Sequence, residues 1–208
     1  MRADPDPEEE GGRWGRRSGN RWLKIALALV FFLGIPLALA GMLYFEGRTM
    51  GLDLVRQVTG RKFPGVKHIT TAELATWLAD SGRSQPLLLD ARTAPEYAAS
   101  HLAGARRIDP IRPLLRHMEA FARDTPVVVY CSVGYRSARV ARWLGRQGFT
   151  NVRHLDGSLF AWANEGRPMV ADGRPAREVH PYNDFWGRLL KPGVRSNAPP
   201  VTDPYSLP

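Results

Sequence analysis

Apolar positions along this chain fall into one long block followed by several short runs. The block runs from Ile25 to Phe45 with no charged residue. A helix needs roughly 20 such residues to cross a bilayer core. Trp22 and Tyr44 flank the block at the depth where amphipathic aromatics settle. Gly34 and Pro36 inside it are tolerated in membrane helices. The short runs come after residue 66 and alternate in type. Ile69-Thr70 ends a first strand, and Leu74, Trp77 and Leu78 then share a helical face. That helix opens on a capping-box pattern, Thr70 with Glu73, and closes at Gly82. Pro86 to Asp90 reads as a buried strand. Thr93 and Glu96, with Pro95 between them, open a short helix ending at Ala99. A small strand ends near Ile108, and Pro113 to Arg123 carries Leu114, Leu115, Met118 and Phe121 on one helical face. Val127 to Tyr130 is a β-branched strand, and Val152 to Leu155 is another. A last helix carries Leu159, Phe160 and Trp162 and ends at Gly166.

Strands alternating with helices at this spacing predict an α/β domain with a mostly parallel sheet flanked by helices. Five segments follow: a polar, disordered stretch 1–24, a transmembrane helix 25–45, a juxtamembrane linker 46–65 holding one helical turn, the domain 66–170, and a Pro-rich extension 171–208. The extension holds seven prolines (Pro175, Pro181, Pro192, Pro199, Pro200, Pro204 and Pro208), which preclude a long helix or a central strand. Within it Phe185, Trp186, Leu189 and Leu190 form one short amphipathic stretch packed on the domain, and Ser196 to Pro208 reads as disordered.

Composition narrows the choices. The formal net charge is +9. Residues 1–24 hold six of the 29 Lys/Arg and five of the 20 Asp/Glu, so the excess lies in the body of the chain. No dense Lys/Arg run is interleaved with aromatics, which argues against a nucleic-acid partner. The cations suit anionic small molecules or an anionic bilayer surface. Arg13, Arg16, Arg17, Arg21 and Lys24 crowd the N-terminal side of the apolar block, and the positive-inside rule then puts the N-terminus in the cytoplasm and the domain outside. Ala38-Leu39-Ala40 also has the form of a signal-peptidase site, so cleavage near Ala40 is the competing reading, and it exports the domain too.

The chain contains one cysteine, which excludes an internal disulfide framework and a Cys-rich metal site. Cys131 follows the strand Val127–Tyr130. The loop Cys131-Ser132-Val133-Gly134-Tyr135-Arg136 leads to Ser137, a suitable N-cap for the next helix. A cysteine at that junction faces unpaired N–H groups and a helix dipole, which favour its thiolate. Gly134 lets the loop bend so that its N–H groups turn inward, and Arg136 adds a fixed positive charge. The plain alternative is a buried structural thiol, which has no need of such a loop. Asp90 ends a strand as Cys131 does, and ligands of parallel sheets bind beyond those strand ends.

The residues Cys131, Gly134, Arg136 and Ser137 resemble the C-x-x-G-x-R-S active-site loop of the rhodanese (sulfurtransferase) family. The resemblance spans residues 66–170. Asp90 and Arg92, Glu96-Tyr97, and His101 to Ala105 are similar to the family's D-x-R, E-[FY] and GHI-x-G-A segments. Leu155 to Ser158, Ala161-Trp162 and Gly166 to Pro168 resemble its closing segments. Ser100 and Ser158 stand where the family often has glycine. Both lie outside the cysteine loop and are expected to leave its chemistry untouched. The resemblance implies a sulfurtransferase, which the apolar block Ile25 to Phe45 would anchor to the membrane, with no cofactor and no metal expected. Its catalytic residue would be Cys131, carrying a persulfide. Backbone N–H groups of Ser132, Val133, Gly134, Tyr135, Arg136 and Ser137 would cradle that sulfur. Arg136 would hold a small sulfur-containing anion as donor. Asp90 and Arg92 would support the loop, and His101 would be structural. The acceptor would be cyanide or a thiol, including one carried by a protein. Cysteine phosphatases and arsenate reductases use related loops with five residues between Cys and Arg, where this chain has four. A non-catalytic binding module is the third reading, and the intact loop argues against it.

Overall fold

The computed structural model describes residues 19–108 and 118–201. Of the stretch 1–24 expected to be disordered, residues 1–18 fall outside those residues and 19–24 are instead helical, and most of the expected helix Pro113–Arg123 also falls outside. The chain divides into two compact units, residues 1–45 and 46–208.

In the first unit, helix α1 (Gly19–Leu29) runs into a π-helical turn, Val30–Gly34, and then into α2 (Ile35–Lys62), whose residues from Glu46 on belong to the second unit. The wide turn precedes Pro36, whose ring cannot accommodate a regular bond to the carbonyl four residues back. Ile35 N–H instead reaches Val30 O. Arg21–Leu39 is long and apolar enough to cross a membrane by length and composition, at a mean hydropathy of 2.2, a test that a signal sequence also passes.

In the second unit, a five-stranded, all-parallel sheet has the order β1-β5-β4-β2-β3. The strands are β1 (Lys67–Ile69), β2 (Leu87–Asp90), β3 (Arg106–Arg107), β4 (Val127–Tyr130) and β5 (Val152–Leu155). Helices α3 (Thr71–Ala79), α4 (Ala94–Ala99), α5 (Tyr135–Arg146) and α6 (Ser158–Asn164) alternate with them. A hairpin of β6 (Met169–Ala171) and β7 (Arg174–Ala176) and a short helix α7 (Asp184–Gly187) complete the unit. β4 lies at the centre and all four of its residues are buried. Side chains alternate across a strand. Val128 and Tyr130 therefore enter the layer with Leu74, Trp77, Leu159 and Phe160, while Val127, Val129 and Cys131 enter the opposite layer with Val140, Ala141 and Leu144 of α5. The Thr70–Glu73 capping box forms as expected: Glu73 N–H donates to Thr70 Oγ1 at 3.2 Å and Thr70 N–H to Glu73 Oε2 at 2.8 Å.

Four expectations need correction. Residues 46–62 are not a linker with one turn but a continuous helix. Leu52, Thr59 and Phe63 are buried, and Val55 packs beside Leu52 in the core. The apolar stripe 52-55-59-63 draws this helix onto the domain. Second, α3 ends at Ala79, and the turn is closed by Gly82 N–H donating to Asp80 Oδ1 rather than by a glycine cap. Third, Met118 is helical and buried, but residues 119–123 form turns. Fourth, residues 196–201 are not free chain. Ser196 N–H donates to Val179 O at 3.0 Å and Val201 N–H to Tyr182 O at 2.8 Å. Residues 202–208 lie outside the described chain. The amphipathic stretch packs in part, with Leu190 buried, Trp186 and Leu189 against the core, and Phe185 exposed.

If residues 46–63 belong to the domain, Leu52→Ala removes core packing and lowers unfolding stability by about 2–4 kcal/mol. A linker position would change by no more than about 0.5 kcal/mol. Urea unfolding of the two proteins, compared at their midpoints, separates these outcomes.

Candidate active site

The loop between β4 and α5 is fixed from three sides. Ser137, expected as the N-cap of α5, is instead its third residue. Gly134 takes the cap position at φ 118°, a left-handed conformation that glycine adopts without strain. The helix starts early because Gly134 O already accepts Ala138 N–H at 3.1 Å, and Ser137 Oγ donates to the same carbonyl at 2.9 Å. Gly134 also brings its own N–H to 3.1 Å from Cys131 Sγ.

The second side is the start of α6. Leu159 N–H donates to Cys131 O and Phe160 N–H to Ser132 O, each at 3.0 Å. Ser158 Oγ accepts Cys131 N–H at 3.1 Å, donates to Leu155 O at 3.1 Å, and lies 3.9 Å from Cys131 Sγ. Ser158 has φ 50°, a conformation that favours glycine. Its hydroxyl bonds are what the serine contributes in return. Ser158 lies outside the cysteine loop in sequence, as expected, yet its hydroxyl touches the cysteine. The glycine before it is constrained as well, since a Cβ on Gly157 would lie 2.6 Å from Ala161 Cβ.

The third side is Glu96, whose carboxylate is fully buried. Its Oε1 accepts Ser132 Oγ at 2.6 Å and Arg136 Nη2 at 2.7 Å. Its Oε2 accepts Arg136 Nη1 at 2.9 Å, Thr93 N–H at 3.0 Å and Thr93 Oγ1 at 2.8 Å. Glu96 was legible in the sequence as a helix-capping residue and as part of the E-[FY] segment with Tyr97. Its pairing with Arg136 was not, because the partner lies 40 positions on. Burial opposes its charge, but Arg136 and Arg92 outweigh burial and hold its pKa at about 2.

These contacts decide the state of the sulfur. Cys131 is 1% exposed. Burial pushes its thiol pKa up, but the Arg136 charge and the N–H groups of Ser137 and Gly134 push harder, so the pKa falls below its ordinary value. Of the expected cradle, Gly134 and Ser137 reach the sulfur. Ser132 and Arg136 bond Glu96, Val133 is buried, and Tyr135 faces Phe63. Asp90 and Arg92 form a fully buried pair: Arg92 Nε and Nη2 grip the carboxylate at 2.7–3.1 Å, and Nη2 also donates to Ser100 O. Their hydrogen bonds brace the turn from β2 into α4 and do not reach the cysteine. His101 stacks on Tyr97, ring centroids 3.8 Å apart, in a structural position. Among the described residues no cluster of three or more His, Cys, Asp or Glu is arranged to hold a metal.

Residues 70–165 match the Rhodanese-like domain family. A sulfurtransferase of Allochromatium vinosum is 35% identical over 106 residues, which cover 51% of this chain and 96% of that protein. The chain belongs to the rhodanese-like family. The thiosulfate sulfurtransferase GlpE of Pseudomonas fluorescens is 37% identical over 87 residues, 42% of this chain and 79% of that protein. A crystal structure of a rhodanese-like domain protein from Staphylococcus aureus is 27% identical, with a TM-score of 0.45 over 51% of this chain and 99% of that one. The rhodanese-like match leaves residues 46–69 and 166–201 outside it, although both pack on the domain.

Glu96 ties its pairing to stability. Its pKa in the folded protein lies below the value of 4.5 for a free side chain, so its contribution is fully present above pH 4.5 and is lost as pH falls towards 2. Glu96→Gln leaves Arg136 with its charge unpaired. It should lower stability at pH 7 by about 3–5 kcal/mol and flatten the acid limb of the stability profile between pH 4.5 and 2. Chemical denaturation across pH reads both effects.

Proposed function

We propose that this protein is a membrane-anchored sulfurtransferase that carries sulfane sulfur on Cys131. The observation that carries this reading is the Cys131 thiol at the end of a buried parallel strand, with Gly134 N–H 3.1 Å from its sulfur and its pKa lowered by Arg136, Ser137 and Gly134 against its burial. The names of its relatives, a sulfurtransferase and a thiosulfate sulfurtransferase, support the same reaction class.

In this reading the Cys131 thiolate attacks the outer sulfur of thiosulfate. The S–S bond of the donor breaks, sulfite leaves with the bonding pair, and Cys131 becomes a persulfide anion. A nucleophile such as cyanide or a thiolate then takes the terminal sulfur and returns the cysteine as thiolate. No net redox partner is needed, and one difficult transfer becomes two easier ones. The N–H groups that stabilise the thiolate serve the persulfide, whose charge sits one atom further out. Arg136 favours the anionic donor. Glu96 holds its guanidinium through two hydrogen bonds, at 2.9 and 2.7 Å. Asp90 and Arg92 act by holding α4, and with it Glu96.

The apolar helix near the N-terminus anchors the enzyme. The cations before it, Arg13, Arg16, Arg17, Arg21 and Lys24, favour a cytoplasmic N-terminus and an exported domain, and cleavage near Ala40 would export the same domain unanchored.

The decisive test is intact mass after incubation with thiosulfate. The chain should gain one sulfur atom, lose it to cyanide, and gain none as Cys131→Ser. A folded protein that gains nothing from thiosulfate or another sulfane donor would overturn the reading. Membrane extraction adds a second test: alkaline carbonate should leave an anchored chain in the pellet and release a cleaved one.

The lowered pKa sets the pH profile. Alkylation of Cys131 should rise with pH through a midpoint below the value of about 8.5 for free cysteine and then level off. Arg136→Lys loses the two-pronged bond to Glu96, so its midpoint should move up and its KM for thiosulfate should rise more than its kcat falls.

A further inference from the structure

Two segments outside the family match close over the cysteine loop. The first is residues 46–63. The Phe63 ring meets Tyr135 edge-on with centroids 5.2 Å apart, and Lys62 Nζ lies 5.1 Å from the Tyr135 ring centre. The Arg142 guanidinium sits 4.6 Å from the Phe63 ring. The second is residues 177–201, where the Tyr182 ring lies 5.0 Å from the guanidinium of Arg136. Consecutive loop residues, Tyr135 and Arg136, are thus each covered by an aromatic side chain from a different extension.

Both covers are anchored. Tyr182 has φ 65°, a strained conformation for a bulky residue. It is held there by its N–H, which donates to His180 Nδ1 at 3.0 Å, and by its carbonyl, which accepts Val201 N–H at 2.8 Å. His180 is itself buried. Val179 N–H donates to Val194 O at 2.7 Å, which closes the segment into a loop. Asn164 at the end of α6 pins that loop, donating to Leu189 O at 2.7 Å and accepting Lys191 N–H at 2.8 Å. The two extensions also meet each other, since a Cβ on Gly51 would lie 2.5 Å from Leu189. In the cysteine loop Cys131, Ser132, Val133 and Gly134 are all buried.

We propose that Phe63 and Tyr182 are specificity-determining residues that narrow the approach to Cys131, so that small donors and acceptors reach its sulfur and a thiol on the surface of a folded protein does not. Sulfur transfer needs the acceptor atom in line with the bond being broken, at contact distance. A small anion or a free thiol brings little else to that point. A protein thiol brings its own backbone and neighbours, which meet two rings that are tied down. The access claim stands apart from the sulfurtransferase reading, which supplies only the identity of the substrates.

The test uses the full chain in detergent and a chromogenic mixed disulfide of thionitrobenzoate. The disulfide is presented on cysteamine or on the single surface cysteine of a folded carrier protein. Attack by the Cys131 thiolate breaks the disulfide and releases coloured thionitrobenzoate, so access is read without any persulfide. The carrier should react roughly 100-fold more slowly than the cysteamine disulfide, relative to the same ratio for the urea-unfolded chain. Tyr182→Ala and Phe63→Ala should each shrink that ratio by about tenfold, and Tyr182→Phe, which keeps the ring, should retain it. Equal rates with both presentations, or a ratio unmoved by both alanine variants, would overturn the proposal, as would a Tyr182→Phe variant as open as the alanine one. A chain that shows the expected ratio yet takes no sulfur from thiosulfate keeps the access claim and loses the sulfurtransferase reading.

Discussion

The buried carboxylate of Glu96 is the group on which the site depends. It sits between a helix start, a loop serine and an arginine, and accepts five hydrogen bonds. Moving a lone carboxylate out of water is costly, so this group demands its partners in fixed positions. Those partners are the residues that shape the cysteine loop. Arg136 cannot leave without stranding Glu96, and Ser132 cannot rotate without losing its 2.6 Å bond. An apolar group of the same size can match its stability, but it does not fix where a guanidinium stands.

That arrangement has an electrostatic consequence for Cys131. Arg136 is paired two-to-two with Glu96, so part of its field at the sulfur is cancelled by the carboxylate behind it. The N–H groups of Gly134 and Ser137 have no such compensating charge and act at contact. The Arg136 charge still lowers the thiol pKa most, and the loop backbone at Ser137 and Gly134 adds to it. This is why Gly134 matters: its left-handed conformation both starts α5 early and turns its N–H onto the sulfur.

Much of this was legible from local signals. The β-branched run Val127–Val129 marks the central strand, because only a strand buried on both faces tolerates so unbroken an apolar stretch. The cysteine at its end and the bend at Gly134 follow from that. What was not legible came from two kinds of contact. Long-range pairing is one: Glu96 reads as a cap, and nothing near it in sequence names Arg136. Packing against residues beyond the domain is the other. Residues 46–63 carry three glycines, Gly47, Gly51 and Gly60, and several cations, which masked the stripe Leu52, Val55, Thr59 and Phe63. In the extension, proline density precludes a long helix or a central strand, and from Ser196 on the chain reads as disordered, although short segments tied by Val179, Tyr182 and Asn164 need neither helix nor strand to be ordered.

The two extensions change what the domain is. A parallel sheet places its chemistry at the strand ends, where loops are open to solvent. Here that opening is flanked by a helix before the domain and a strap after it, and the two touch through Gly51 and Leu189. Each contributes an aromatic ring to one residue of the cysteine loop. Because the rings bear on Tyr135 and Arg136 rather than on the sulfur, they leave the N–H groups of Gly134 and Ser137 free to act. The groups that lower the Cys131 pKa and the rings that border its loop thus come from different segments of the chain.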